Sequence, residues 1–127
     1  MADRVLLDAN ILIRFLVRDD EILYQKSLEI IKEIEQGEKE ALLMDFILAE
    51  IIYVLKRIYK IDKIQISNVL KKILLNDYFY TDNKLVTFEA LDIYANKNID
   101  FADAMLCAKK NLEGFEIVSF DKDMQKC

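Results

Sequence analysis

The sequence predicts an α/β fold: a three-layer α/β/α sandwich around a central parallel sheet of four or five short strands. Three observations point to it. Short runs at Arg4 to Leu7, Ala41 to Met44, Tyr78 to Tyr80 and Glu116 to Ser119 alternate with longer segments of helical periodicity. The runs are largely apolar without a break, as in strands covered on both faces. The chain has no Pro and only two Gly, so little interrupts regular structure. At 127 residues, 54% hydrophobic and 32% charged, it reads as one globular domain spanning 1–127, with no linker, repeat or low-complexity tract.

The elements follow in order. The first strand, Arg4 to Leu7, ends at Asp8 and runs straight into a helix marked by Ile11, Leu12, Phe15 and Leu16. A second helix extends from about Asp20 to Gln36, with Leu23, Ser27, Ile30, Ile31 and Ile34 at helical spacing and Gly37 placed to end it. Ala41 to Met44 is too short for a helix. Asp45 is expected to cap a helix over Phe46 to Tyr59, and Asp62 another from Lys63 to about Leu74. Together they form a helical hairpin at about 46–74. After the strand Tyr78 to Tyr80, Asp82 opens a helix to about Ala95, and Asp100 opens one to Leu112 that Gly114 ends. Glu116 to Ser119 is the last strand.

Composition excludes much of the usual catalytic repertoire. Without a single His there is no Ser-His-Asp or Cys-His relay and no His-ligated zinc, and two Cys 20 positions apart cannot build a Cys-rich metal site. Catalysis falls to carboxylates, lysines, hydroxyls or a bound metal. MADRVLLDAN does not read as a signal peptide, and no apolar stretch approaches the ~18 residues of a membrane span. Cys107 lies in an apolar run and Cys127 is the last residue, so no stabilising disulfide is expected and a cytoplasmic setting is the simpler one. The net charge of -5 argues against a general polyanion binder, but it is unevenly spread. Between residues 56 and 74, Lys56, Arg57, Lys60, Lys63, Lys71 and Lys72 face the single acid Asp62.

Three acids interrupt apolar runs where burial is expected. Asp8, in VLLDANILI, stands at the carboxyl end of the first strand, the edge at which parallel sheets bind ligands. Glu50 is the one charged residue of FILAEIIYVL, with Phe46, Ile47, Tyr53 and Val54 three and four positions away on its helix. Asp103 sits in FADAMLCA. Asp8 and Asp103 also suit helix capping, whereas Glu50 is mid-helix. Asp121 follows the last strand in IVSFDKD, with Asp123 two residues on. Three unpaired buried carboxylates are costly without a cation, and with Asp121 four carboxylates converging at one sheet edge suit a hard cation of Mg²⁺ or Mn²⁺ type.

The ordered set LLDAN, an acid within an apolar helix, DFADAML and SFDKD resembles the PIN-domain family, and specifically the VapC-type toxins of toxin-antitoxin pairs, from Val5 to Asp123. The resemblance implies a PIN-like fold and a metal-dependent endoribonuclease. It puts the catalytic, metal-binding acids on Asp8, Glu50, Asp103 and Asp121, supported by Asn10, Ser119 and Asp123. Ala9 departs from the hydroxyl often found after the first acid, and the chain stops at Cys127, where many relatives continue into an edge strand. The resemblance further implies a Mg²⁺ or Mn²⁺ cofactor, an RNA substrate, a cognate antitoxin that covers the acidic site, and a homodimer. Lys56, Arg57 and Lys60 become candidates for RNA phosphate, with Arg14 and Arg18 as second candidates. The alternative is a PIN-like module that binds RNA or protein without cutting.

Overall fold

A computed structural model describes residues 3–127. Three parallel strands, β1 (Asp3–Leu6), β2 (Lys39–Leu42) and β3 (Phe79–Tyr80), lie side by side in chain order. Leu6 pairs with Leu42 and Leu42 with Tyr80, so all three strands end at the same edge. Around them run α1 (Ala9–Val17), α2 (Glu21–Glu35), α3 (Asp45–Arg57), α4 (Lys63–Leu74), α5 (Lys84–Asn96) and α6 (Phe101–Glu113), followed by a 3-10 turn at Lys122–Lys126. The chain is mostly helical, with an α/β core.

The helices start where side chains can satisfy their free amides. Asp20 accepts from Leu23 N, Asp62 from Ile64 N and Asp100 from Asp103 N, and each carboxylate also favours the positive end of its helix. Their apolar stripes converge on one core, in which Leu12, Ile31, Ile34, Leu43, Leu48, Leu55, Leu70, Phe79 and Leu91 are fully buried. Ser67 Oγ donates to Leu91 O at 3.0 Å, fastening α4 to α5 inside that core.

Two glycines occupy left-handed backbone, Gly37 at φ +83° and Gly114 at φ +74°. They differ in surroundings. A Cβ on Gly37 would stand 2.8 Å from the Tyr78 ring, whereas one on Gly114 would meet nothing within 4 Å. Gly114→Ala should therefore cost about 1–2 kcal/mol, the price of left-handed backbone for an L-residue. Gly37→Ala should cost more, about 2–3 kcal/mol, because Tyr78 must also move. Urea unfolding of the two variants beside the parent measures that ordering.

Several features differ from expectation. The sheet has three strands among the described residues, not four or five, because Glu116 to Ser119 is irregular and leaves Val118 93% exposed. The ends of this stretch are tied elsewhere. Gly114 stops α6, Lys126 Nζ donates to Asn98 O at 3.0 Å, and Cys127 is joined to Cys107 of α6 by a disulfide with Cα atoms 5.4 Å apart. The tethers fold the terminus back on α6. The disulfide also corrects the expectation of free thiols. Finally, Met44 rather than Asp45 precedes α3, and Asn83 rather than Asp82 caps α5, its side chain accepting from Val86 N. Among the described residues no helix is long and apolar enough to cross a membrane.

Candidate metal and nucleic-acid site

The amino end of α6 and the terminal turn bring three carboxylates together. Asp103 lies in the first turn of α6, and Asp121 and Asp123 lie at the start of the terminal turn; one oxygen from each falls within 4.8 Å of the others. Local hydrogen bonds set their positions. Ser119 Oγ accepts from Asp121 N at 2.9 Å, Asp121 Oδ1 accepts from Asp123 N at 2.9 Å, and Asp100 Oδ1 accepts from Asp103 N at 2.9 Å. Burial pushes the Asp103 carboxyl above its usual range, and the charges of Asp100, Asp121 and Asp123 push it further. One cation compensates in part: Lys126 Nζ lies 3.0 Å from Asp123 Oδ1.

The other expected acids stand apart from this cluster. Asp8 is exposed at the carboxyl end of β1, where it accepts from Ala9 N at 2.9 Å as the cap of α1, and Asn10 is exposed on the turn that follows. Glu50 is exposed on α3, so it and Asp8 both go against the expectation of burial, which only Asp103 meets in part; Asp121, for which no burial was expected, is exposed too. The reason for Glu50 is visible in its neighbours. Phe46 and Tyr53, which flank Glu50 on its own helix face, are themselves 65% and 61% exposed. An apolar neighbourhood along one helix buries nothing unless another element covers that face. Asp100, read from sequence only as a cap, was missed as a site residue; its place one turn before Asp103 was the available signal.

A second acidic pair was also missed. Asp45 and Asp82 follow the ends of the neighbouring strands β2 and β3, close enough for each carboxylate to feel the other's charge, and neither caps its helix. Asp45 Oδ1 is buried with no hydrogen-bond partner among the described residues. Burial and the neighbouring Asp82 carboxylate raise the Asp45 carboxyl to about 6, opposed by Lys109. The folded state thus holds this proton more tightly than the unfolded chain, whose carboxyl titrates near ~3.9. The stabilising contribution is complete below about pH 4 and is lost as pH rises through about 6. Asp45→Asn should therefore add about 1 kcal/mol at neutral pH, a figure reduced for solvent screening, and almost nothing at pH 4. Chemical unfolding of both proteins at the two pH values checks this.

The basic run divides sharply. Lys63 Nζ donates to Lys97 O and Ile99 O and lies 4.4 Å from the centre of the Tyr94 ring, and Lys71 is paired with Asp92. Arg14 is bound to Asp19 at 2.9 Å, and Arg18 makes two hydrogen bonds to Glu21 while lying over Tyr24. By contrast Lys56, Arg57 and Lys60 make no ion pair among the described residues. All three line a cleft of about 700 Å³ that Asp100, Asp123 and Lys126 line as well, so free cations border the acid cluster.

An all-oxygen donor set of like-charged groups fits a hard divalent cation rather than a soft or imidazole-seeking one. With that geometry in place the comparisons with known proteins are specific. The model of the PIN domain matches residues 5–127. The chain belongs to the PIN-domain family. It is also 26% identical over 122 residues to a VapC ribonuclease of Aquifex aeolicus (strain VF5), covering 95% of this chain and 90% of that protein. No solved structure matches this PIN domain significantly.

Proposed function

We propose that this PIN domain is a metal-dependent endoribonuclease that hydrolyses RNA phosphodiester bonds, and that it is the toxin of a VapBC-type pair. The observation that carries the reading is the convergence of Asp103, Asp121 and Asp123 within 4.8 Å in a family member similar to a VapC ribonuclease. Those three acids would hold Mg²⁺ or Mn²⁺, with Asp8 and Glu50 as the further acids that the resemblance assigns to the centre. Bound there, the cation supplies Lewis acidity toward a phosphodiester.

The chain's own groups do the rest. Ser119 holds Asp121 in register, and Asp100 does the same for Asp103 through the first turn of α6. Lys126 offsets one of the negative charges that would repel RNA. Lys56, Arg57 and Lys60 attract phosphates into the adjoining cleft, which lets a chain of net charge -5 hold a polyanion. An antitoxin is the expected protein partner, a homodimer the expected assembly, and masking of the acids by the antitoxin the expected control.

The test is incubation of the purified chain with transfer, ribosomal and messenger RNA in Mg²⁺ or Mn²⁺, with mapping of the new ends. Internal cuts at discrete positions support the reading. Intact RNA throughout, with a folded protein, refutes it in favour of a non-catalytic RNA- or protein-binding module.

A further inference from the structure

The stretch from Phe115 to Cys127 carries two of the three clustered acids, yet none of its residues is fully buried. It has little packing of its own to hold it in place. Two ties join it to more distant parts of the described chain: the exposed hydrogen bond from Lys126 Nζ to Asn98 O, and the disulfide from Cys127 to Cys107. Charge acts against the placement, because Asp121 and Asp123 stand beside Asp103 and Asp100 with only Lys126 paired to one of them. The disulfide is placed to hold the cluster together. Asp103 and Cys107 are one turn apart on the same face of α6, and Cys127 follows Asp123 by four residues. The cross-link thus closes a loop spanning 20 positions, with an acid of the cluster close to each of its ends. Its two sulfurs differ in access, since Cys107 is buried in the core and Cys127 is partly exposed.

We propose that the Cys107–Cys127 disulfide is a reversible switch on the cation site: closed, it holds Asp121 and Asp123 against Asp103, and opened by a dithiol reductant it lets them move apart. This rests on the reading of those three acids as a cation site. In the opening step a thiolate of the reductant attacks Sγ of Cys127, the more exposed partner, and the S–S bond breaks; Cys107 leaves as a thiolate and takes a proton. The reductant's second thiol then displaces Cys127 from the mixed disulfide. Two electrons and two protons pass to the protein, and the reductant ends as its own disulfide. Cys107 is left in the core as a small apolar side chain. With the loop closed the carboxylates are already gathered, and with it open the cation must gather them against the entropy of the chain and their mutual repulsion.

The test oxidises the full chain with glutathione disulfide or reduces it with dithiothreitol, removes the reagent without air, and counts free thiols. Each form is then titrated with Mn²⁺, the free ion being read by its paramagnetic resonance, and melted without metal. The oxidised chain should bind Mn²⁺ at least tenfold tighter than the reduced chain, and re-oxidation should restore the affinity. Cys127→Ser should bind as the reduced parent does, whatever the treatment. Both thiols still free after oxidation, equal Mn²⁺ affinity in the two forms, or Cys127→Ser with the affinity of the oxidised parent overturns the proposal. So does a reduced chain that no longer melts cooperatively, since the disulfide is then a brace for the whole fold. The two readings fail separately. Absence of Mn²⁺ binding in every form refutes the cation site and the switch with it, whereas equal binding in both forms refutes the switch alone. Switched binding without RNA cleavage in either form removes the ribonuclease and keeps the switch.

Discussion

Asp103→Asn should reduce RNA cleavage by about 100-fold or more while leaving the fold intact. The substitution keeps the side chain's shape and removes one of three charges within a 4.8 Å cluster. Losing a single preorganised group at a reacting centre costs about 10²–10³ in rate, and even residues that only orient a metal ligand cost about 10–100-fold. The same change relieves repulsion, because Asp103 is partly buried beside Asp100, Asp121 and Asp123. In the absence of divalent cation, Asp103→Asn should thus melt no lower than the parent. A variant that cuts RNA at the parent's rate would remove Asp103 from the centre, and a variant that is inactive because it is unfolded would show itself in the melt.

Charge reversal at Lys56 and Arg57 carries the second large effect. Both line the cleft that leads to the acids, and neither makes an ion pair among the described residues, so neither charge is neutralised in place. Each phosphate contact contributes about 0.7 to the salt slope for a single strand. Lys56→Glu with Arg57→Glu should lower that slope by about 1.5 and weaken RNA binding at least tenfold at low salt, with the difference shrinking as salt rises. Arg14 and Arg18 provide the control, since Asp19 and Glu21 already occupy them; reversal of either should change RNA affinity far less. Equilibrium binding between ~50 and ~200 mM salt gives both numbers.

Periodicity and capping chemistry made most helices and the three strands legible, because those signals are local. Asp103 and Asp121 were legible because each follows or opens an element that meets the same region. Asp100 was hidden by its own success as a cap: a carboxylate that accepts from Asp103 N explains itself without a site. The Asp45 and Asp82 pair was hidden because each reads in sequence as a cap that it does not form, and only the strand register shows that the two acids follow neighbouring strands. The burial expected of Glu50 failed because spacing along one helix says nothing about whether a partner element covers that face. The last strand failed because a tether between Cys127 and Cys107 and a hydrogen bond from Lys126 to Asn98 act over 20 or more positions, beyond any local pattern.

The central claim is that a cation held by Asp103, Asp121 and Asp123 is what makes this PIN domain a ribonuclease. The most direct measurement strips the chain with chelator, then adds Mn²⁺ in steps while melting temperature and RNA cleavage are read on the same samples. A cation that binds only the folded chain stabilises it by mass action, by about 2.7 kcal/mol at a hundred times its dissociation constant. Melting temperature and cleavage should therefore rise over one concentration range, and neither should rise in Asp103→Asn. Cleavage that persists in chelator, or stabilisation that is the same in Asp103→Asn as in the parent, would contradict the account.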